Sequence, residues 1–274
     1  VNVFRRAAQI ATALDRPAGE VSSQQARQQD LTAAINARLT RPDGVYVDGL
    51  QANGTPVNQA SQETESAAVV YGVMPAQNAG PVGAYMASLG MQNPPRTAGE
   101  LLEALHLVGR DRDVLTRITD AKTPGWANIL AQGGTFTWEV WKPVDANGDS
   151  MSHGWGSNVL VEIQHALLGV TPTAPGYATF DVTRPQAGLA SASGRVPTPR
   201  GFISVAWHGE SSTATALTLT VPANANATVH LRTTARITVN GQPAGHGAGV
   251  GPLRPGPDGT IFTVGAGTYH IHAA

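Results

Sequence analysis

The sequence predicts a protein in two parts: an α-helical half followed by an antiparallel β-sandwich. Up to about residue 170, apolar residues recur at the three- and four-residue spacing of helix faces. After that point the chain breaks into short runs that alternate apolar and polar residues and are rich in Thr, Val and Ile. A chain of 274 residues is long enough for two domains of ordinary size. We expect these domains to cover residues 1–170 and 171–274.

Several amphipathic segments, joined by loops that contain Pro or Gly, make up the helical half. In the first segment, residues 4–14, the apolar positions fall on one helix face. The clearest segment follows Thr97-Ala-Gly-Glu100, which has the pattern of a capping box, and Gly109 is expected to end it. A last helix is predicted over about residues 152–168, with Val159, Ile163 and Leu167 on one face. Seven or eight such segments, taken in pairs, predict stacked helical hairpins.

Seven short runs predict the strands of the second half. Turn signals such as Asn240-Gly241 and Asp258-Gly259 separate neighbouring runs. The predicted strands are residues 177–182, 201–208, 216–221, 228–231, 235–239, 260–264 and 268–272. Strands of this length and spacing are typical of a sandwich. The Gly-rich stretch 241–259 lacks the Lys of a phosphate-binding loop and is interpreted as a flexible hairpin region.

Composition excludes several classes of partner. The formal net charge is −1, with 14% charged residues, which argues against nucleic acid or an anionic membrane as a partner. No apolar stretch reaches the roughly 20 residues that a membrane helix needs. The chain has no cysteine, so disulfides, thiolate metal sites and a cysteine nucleophile are ruled out. We expect no cofactor, and the sequence leaves the cellular compartment undecided.

Two motifs imitate metal sites, and we interpret both without a metal. Asp145-Ala-Asn-Gly-Asp149 resembles the first positions of a calcium loop, but the twelfth position is Gly156 where a carboxylate is needed. A polar turn explains it better. His270 and His272 alternate on the last predicted strand and could share a face, but no third ligand lies nearby in sequence.

The segment with the most chemical potential runs from residue 124 to residue 156. It places Glu139 between Trp138 and Trp141, and His153 and Trp155 follow at the start of the last predicted helix. Indole faces stack on the apolar faces of sugar rings, while a carboxylate and an imidazole can bind sugar hydroxyls. Aromatic walls can also shift the pKa of a carboxyl group toward a value useful for proton transfer. The alternative, that these tryptophans are core residues and Glu139 caps a helix, stays open on spacing alone.

The run Gly133-Gly-Thr-Phe-Thr-Trp-Glu-Val-Trp141 resembles the G-A-T-T-x-W-E-x-W segment of glycoside hydrolase family 78, the α-L-rhamnosidases. Three further segments are similar to that family. Residues 150–156 resemble the start of its closing barrel helix, and residues 169–180 with 194–201 resemble its linker and first sandwich strands. Residues 58–72 are similar to one of its helices, though less closely. The resemblance implies the second half of an (α/α)6 barrel at 1–170, followed by a C-terminal β-sandwich.

The same resemblance implies an inverting hydrolase of terminal α-L-rhamnosides, so a rhamnose-containing glycoside or polysaccharide is the expected partner. By its place in the motif, Glu139 corresponds to the general base. His153 is then expected to hydrogen-bond the sugar. The candidates for the walls of the pocket are Trp126, Trp138, Trp141 and Trp155.

The general acid of the family is not evident, because nothing here resembles the acidic, Arg-containing stretch that carries it. The first residues, Val1-Asn-Val-Phe-Arg-Arg, read as the middle of a helix and lack a signal-peptide layout. We therefore expect a fragment, a truncated homologue or a split-gene product, paired with the missing half or with another copy. The weaker candidates for a second carboxylate are Glu63 with Glu65, Glu100 with Glu103, and Asp120.

Two other functions remain open on the sequence. One keeps the six-hairpin fold with another chemistry, either a glycosidase of different specificity or a polysaccharide lyase. The other is a sugar-binding or structural chain without turnover. The absence of a recognisable general acid in the sequence favours this function.

Overall fold

The computed structural model describes residues 1–143, 148–184, 186–209, 215–245, 247 and 249–273. The chain forms two compact units, Val1–Val159 and Leu160–Ala274. The first unit is helical and the second is built of β-strands, which confirms the predicted order of α followed by β. The units divide about eleven residues before the predicted domain boundary, and the domain limits 1–170 and 171–274 stay a prediction.

Eight α-helices lie within the described residues, as the sequence pattern predicts. They are α1 (Asn2–Ala13), α2 (Ala18–Leu39), α3 (Gln62–Val70), α4 (Ala79–Ser88), α5 (Pro95–Leu107), α6 (Asp111–Thr119), α7 (Trp126–Ala131) and α8 (Val159–Glu162). Short 3-10 turns lie at Ala76–Asn78, Gly154–Asn158 and Pro175–Tyr177. Helix α1 packs on α2 and α3 packs on α5, which also contacts the turn at Gly154–Asn158. Leu101, Leu102 and Leu105 of α5 are fully buried at the centre of this unit.

A buried glutamine fixes the loop that leads into α5. Gln62, the first residue of α3, donates from Nε2 to the carbonyl oxygens of Met86 and Gly90, at 2.7 and 2.8 Å. Its Oε1 accepts from the main-chain amides of Gln92 and Asn93. All the hydrogen-bonding capacity of the Gln62 side-chain amide is used. This side chain therefore satisfies main-chain groups of the loop, as a neighbouring strand would do in a sheet.

The predicted capping box at Thr97–Glu100 is wrong. Helix α5 begins at Pro95, with Pro94 preceding it. Proline suits the first turn of a helix because its missing N–H needs no partner there and its φ is already helical. Thr97 therefore lies inside the helix, and its hydroxyl donates to Glu63 Oε1 at 2.8 Å.

The last predicted helix is divided into three kinds of helix. A 3-10 turn at Gly154–Asn158 leads into α8, and a π-helix at Ile163–Leu168 follows. The predicted apolar face at Val159, Ile163 and Leu167 is not maintained, since Ile163 is 37% exposed while Glu162 is 3% exposed. A π-helix forms hydrogen bonds between residues five apart. Residues at α-helical spacing, such as Ile163 and Leu167, therefore no longer lie on one face.

The second unit consists of two sheets. The strands are β1 (Val170–Pro172), β2 (Thr179–Thr183), β3 (Ser191–Thr198), β4 (Gly201–His208), β5 (Thr215–Val221), β6 (Asn226–Leu231), β7 (Ile237–Val239), β8 (Gln242–Pro243), β9 (Arg254–Gly256), β10 (Gly259–Val264) and β11 (Gly267–Ala273). One sheet has the order β1-β2-β6-β10-β9 and the other has the order β3-β4-β5-β11-β7-β8. All seven predicted runs correspond to strands.

The sheets differ from the prediction in two ways. Four strands, β1, β3, β8 and β9, were not predicted, and one strand pairing is parallel. Strand β3, which the sequence analysis missed, pairs with β4 along its whole length, from Ser191 opposite His208 to Thr198 opposite Gly201. Its polar, Gly- and Pro-containing sequence hides the alternation, because only Val196 is buried. Strands β2 and β6 are parallel, so the sandwich is not wholly antiparallel. Strands β3 to β5 belong to the other sheet. The chain then returns to the first sheet as β6, which runs in the same direction as β2.

The two sheets of the second unit enclose one apolar core. Phe180 on β2 and Val229 on β6 are fully buried on neighbouring strands of one sheet, and Leu219 on β5 is fully buried on the other sheet. The indole of Trp207 on β4 donates to the carbonyl oxygen of Leu168 at 2.8 Å, which ties the end of the π-helix to the sheet. No helix within the described residues is long and apolar enough to cross a membrane.

Candidate active site

The candidate site lies on the loop between α7 and the 3-10 turn at Gly154. Two main-chain hydrogen bonds fold this loop back on itself. The amide of Glu139 donates to the carbonyl oxygen of Ser150 at 2.8 Å, and the amide of His153 donates to Thr137 at 2.8 Å. The Thr137 hydroxyl also donates to the carbonyl oxygen of His153. Residues distant in sequence are thereby brought side by side.

Glu139 is half-buried and held at one oxygen. Its Oε2 accepts a hydrogen bond from the main-chain amide of Ser150 at 3.0 Å. Its Oε1 accepts none from any residue that the structure describes. A carboxylate with one anchored and one available oxygen is oriented, yet it can still hold a water molecule or a hydroxyl group.

The side-chain rings of His153 and Trp155 pack against each other at the end of the same loop. Their ring centroids are 4.1 Å apart at 49°. His153 Nδ1 accepts the main-chain amide of Trp155 at 3.2 Å. In the neutral imidazole the proton is then on Nε2, which leaves a donor directed away from the backbone. Trp155 is 45% exposed, so its indole face is available to a ligand.

The other three tryptophans of the segment are buried. Trp138 is 2% exposed, and Trp126 meets Trp141 edge to face with ring centroids 5.2 Å apart. Their indoles are hydrogen-bonded at 2.7 Å, Trp126 to the carbonyl oxygen of Gly156 and Trp141 to that of Asn93. These rings form a rigid layer beneath the loop. Their predicted contact with substrate stays a prediction.

Close packing in this layer requires glycine at two positions. A Cβ added to Gly134 would lie 2.5 Å from Ile129 Cγ2 and 3.0 Å from the Trp138 ring. A Cβ on Gly156 would lie 2.8 Å from Thr137 Cβ. Gly134 lets the loop lie on Ile129 and Trp138, and Gly156 lets the 3-10 turn lie on Thr137.

Beside the loop is a cavity of about 340 Å³ with a mainly apolar lining. Its lining includes the buried Trp126 and Ile129 and the exposed Leu130 and Phe136. Thr137 belongs to both the cavity and the backbone pair with His153. Glu139 is not among the residues that line it.

The weaker carboxylate candidates are engaged elsewhere. Glu65 is completely buried and accepts the amide of Tyr46 at 2.7 Å, and burial raises the pKa of this carboxyl group to about 8. Glu63 accepts the Thr97 hydroxyl and Glu100 accepts the Tyr71 hydroxyl. Asp120 is partly exposed, and its hydrogen bond from the Thr123 hydroxyl lowers its pKa.

Glu103, the partner of Glu100 in the sequence analysis, is half-buried on α5. Burial raises its pKa, and the nearby Glu100 raises it further. Nothing in the described structure brings it to the Glu139 loop.

The motifs that imitate metal sites do not gather ligands in the described part of the chain. Residues 144–147, which include most of the calcium-like motif, lie outside the described residues. On β11, His270 Nδ1 lies 3.3 Å from the Thr218 hydroxyl. Among the residues that the structure describes, no three His, Asp or Glu side chains are placed to hold a metal ion.

Sequence reasoning missed the two residues that support the site from below. Asn93 is completely buried and receives the Trp141 indole, and Gln62 holds the loop that contains Asn93. Only the similarity of residues 58–72 to a family helix could have indicated Gln62. No sequence pattern connects Asn93 with a tryptophan 48 residues away.

Comparison with known proteins identifies the family. A model of the bacterial α-L-rhamnosidase six-hairpin glycosidase domain matches residues 1–163. A model of the bacterial α-L-rhamnosidase C-terminal domain matches residues 169–245. The chain belongs to the bacterial α-L-rhamnosidase family. The six-hairpin and sandwich parts of the fold prediction, and the resemblance to family 78, are thereby confirmed.

Individual members of the rhamnosidase family agree. The chain is 29% identical over 121 residues to an α-L-rhamnosidase of Alteromonas sp. (strain LOR), covering 39% of this chain and 12% of that protein. The Streptomyces avermitilis α-L-rhamnosidase structure in complex with L-rhamnose has a TM-score of 0.77 at 19% identity, covering 100% of this chain and 26% of that one. The enzyme from Dictyoglumus thermophilum has a TM-score of 0.80 at 16% identity, covering 97% and 30%. The chain thus spans less than a third of the length of these rhamnosidases.

Proposed function

We propose that the protein to which this chain belongs hydrolyses terminal α-L-rhamnosides with inversion, and that Glu139 is its general base. Membership of the rhamnosidase family supports the reaction class. The observation that carries the role of Glu139 is its carboxylate geometry. One oxygen is fixed by the Ser150 amide and the other has no partner among the described residues.

In this reaction Glu139 removes a proton from a water molecule on one face of the sugar. The water oxygen bonds to C1 as the bond from C1 to the leaving oxygen breaks, and a second carboxylic acid protonates that oxygen. The two carboxyl groups of inverting enzymes stand about 6.5–9.5 Å apart to leave room for the water. No hydrogen bond within the described residues joins Glu139 to any of the candidate acids of the sequence analysis, which are Glu63, Glu65, Glu100, Glu103 and Asp120, so we assign the acid to another part of the protein.

Two further side chains are proposed to bind the sugar. The Nε2–H of His153 donates to a ring hydroxyl, since its Nδ1 is occupied by the Trp155 amide. The exposed indole of Trp155 stacks on the apolar face of the ring. The roles proposed for Trp126, Trp138 and Trp141 are those of a rigid wall that fixes the loop, which their burial supports.

The test is hydrolysis of an aryl α-L-rhamnoside by the natural gene product, compared with its Glu139→Gln variant. Loss of a general base lowers kcat by about 10²–10⁴-fold. Glu20→Gln, on an exposed turn of α2, is the matched control and should leave the rate unchanged. The anomeric form of the first rhamnose released, followed by NMR, tests inversion. Equal rates for Glu139→Gln and the parent protein would refute the proposal.

A second candidate, a chain that binds sugar without turnover, is favoured by the engagement of the other carboxylates in structural contacts. It predicts no hydrolysis, together with a saturable change in tryptophan fluorescence on addition of L-rhamnose. Trp155→Phe should reduce that change, because Trp155 is the accessible indole of the site. Absence of both hydrolysis and fluorescence change would exclude a sugar site in this chain.

A further inference from the structure

The six-stranded sheet of the second unit has one apolar and one polar face. Its inner face carries core residues such as Ile203, Leu219 and Ile271. Successive side chains of a strand point to opposite faces, so the alternate residues of β3, β4, β5 and β11 point away from the core. The polar and aromatic members of this outer face are Ser191, Ser193, Arg195, Phe202, Ser204, His208, Thr218, Thr220, Thr268, His270 and His272.

The strand register places three histidines together on the outer face. His208 lies opposite Ala216, and Ala216 lies opposite His272. Neighbouring strands are about 4.8 Å apart, so the backbones of the two histidines are about 10 Å apart, with only the small side chain of Ala216 between them. His270 lies two residues before His272 on the same strand, and its Nδ1 is 3.3 Å from the Thr218 hydroxyl. All three histidines are exposed.

Arg195 extends the same face towards β3. Its guanidinium group lies over the Phe202 ring, 4.8 Å from the centroid, and Phe202 is 53% exposed. This stacking orients the guanidinium group but uses none of its N–H donors. Arg195 lies opposite Ser204, Ser204 opposite Thr220, and Thr220 opposite Thr268. A row of hydroxyl groups therefore crosses the sheet beside an arginine that has no ion pair within the described residues.

Among the described acidic residues of the second unit, none lies on this outer face. Glu162 is buried in the helix that precedes the sheets. Asp181 is on β2 and Asp258 precedes β10, both in the other sheet, and each lies near a basic side chain. Glu210, in the connection between β4 and β5, lies outside the described residues. The described charge of the face is therefore positive, and it increases as the pH falls from 8 to 5, because histidine takes up a proton in that range.

The composition of the outer face favours a sugar polymer over other partners. A nucleic-acid site normally has several lysines or arginines, whereas Arg195 is the one arginine among the outward-facing strand residues described above. A protein interface has an apolar centre with several aromatic residues, whereas Phe202 is surrounded by hydroxyl groups. Serine and threonine hydroxyls can bind sugar hydroxyls, and an aromatic ring can pack on the apolar face of a sugar. Guanidinium and imidazolium groups form charge-assisted hydrogen bonds with anions.

We propose that the outer face of the six-stranded sheet binds an anionic polysaccharide, whose carboxylate or sulfate groups contact Arg195 and the three histidines. Each contact is weak by itself. A repeating polymer engages several of them at once, because every contact after the first is intramolecular. The surface would hold the protein on an acidic polymer. It goes beyond the hydrolysis proposed above and does not involve Glu139.

The test measures binding of the natural gene product to three immobilised polymers that share one backbone. They are carboxymethyl dextran, dextran sulfate of the same degree of substitution, and neutral dextran. Affinities are compared at pH 5.5 and pH 8, between which histidine loses its charge. One variant replaces all three histidines of the face by Gln, and a second is Arg195→Gln. His230→Gln on β6 and Arg254→Gln on β9, both in the other sheet, are the matched controls. Circular dichroism confirms that each variant folds.

We expect the parent protein to bind at least one charged dextran at least about tenfold more tightly at pH 5.5 than at pH 8, since one exposed charge contact strengthens binding by up to about fivefold. The triple variant should lose this gain. Arg195→Gln should weaken binding at both pH values, and the controls should match the parent protein. The charged dextran that binds more tightly identifies the anionic group as carboxylate or sulfate.

Two results would overturn the proposal. One is a triple variant that binds as tightly as the parent protein at pH 5.5, and the other is equal affinity for neutral and charged dextran. Tighter binding of duplex DNA than of either charged dextran would replace the polysaccharide by nucleic acid. All these measurements record binding with Glu139 intact, so their failure and a failure of the proposed hydrolysis are distinguishable.

Discussion

Ser150 holds Glu139 through two hydrogen bonds, since its amide donates to the carboxylate at 3.0 Å and its carbonyl oxygen accepts the Glu139 amide at 2.8 Å. This pairing joins two segments that are eleven residues apart in the sequence. The side chain that the proposed chemistry requires is therefore oriented by main-chain groups. Substitutions of Ser150 consequently act through the backbone more than through the hydroxyl.

The first prediction follows from that pairing. Ser150→Pro removes the amide that donates to Glu139 and should lower kcat by at least about tenfold, because a charge-assisted hydrogen bond is worth about 1.5–3 kcal/mol. Ser150→Ala keeps the amide and should remain within about twofold of the parent rate. Rates on an aryl α-L-rhamnoside decide the matter, with circular dichroism to confirm that both variants fold. Similar rates for the two variants would contradict an anchoring role.

The second prediction concerns the tryptophan layer. Trp141→Phe keeps most of the ring but leaves the buried carbonyl of Asn93 without its donor. The free energy of unfolding should fall by about 1–3 kcal/mol, the cost of an unsatisfied buried polar group. Trp155→Phe, at an exposed site, should change it by no more than about 0.5 kcal/mol. Urea denaturation of both variants measures the difference, and equal losses would argue against the Asn93 contact.

The third prediction is a dependence of stability on pH. Glu65 has a folded-state pKa of about 8, compared with an ordinary value of 4.5, because it is desolvated by burial. Between these values the folded protein keeps a proton that the unfolded chain loses. The stabilising contribution is therefore complete below pH 4.5 and is lost as the pH rises towards 8, with a slope of at most about 1.4 kcal/mol per pH unit.

Glu65→Gln, which cannot lose a proton, should flatten that slope in urea denaturation at pH 5, 6, 7 and 8. Glu63→Gln, at an exposed site on the same helix, is the matched control and should retain the parent slope. A parent protein whose stability is constant over this range would mean that Glu65 is ionised in the folded state.

The fourth prediction tests how closely the loop lies on α7. Gly134→Ala places a methyl group 2.5 Å from Ile129 Cγ2 and 3.0 Å from the Ile129 carbonyl oxygen. Overpacking of this kind costs about 1–3 kcal/mol of unfolding free energy. Gly19→Ala on α2, where no atom lies within 4 Å of the new methyl group, should be neutral or stabilising by up to about 1 kcal/mol. Thermal unfolding of both variants compares them directly.

Local patterns in the sequence predicted the elements that depend on local physics. Strands such as Gly201–His208 and Thr215–Val221 alternate buried and partly exposed residues, so their period of two is visible in the chain. Patterns failed where packing replaced periodicity. Most residues of strand β3 are not buried, so its sequence lacks the apolar alternation that marks a strand. Helix α5 begins at Pro95, two residues before the predicted cap, because proline is suited to the first turn of a helix.

By itself, the sequence determined the family, the order of α and β parts, and the identity of Glu139 as the candidate base, since each depends on residues adjacent in the chain. Only the tertiary structure showed that Trp126, Trp138 and Trp141 are buried and that Trp155 is accessible. It also brought Asn93 under Trp141 and Ser150 beside Glu139. Burial and long-range hydrogen bonds arise when segments meet in space, and the spacing of residues along a chain does not record which segments will meet.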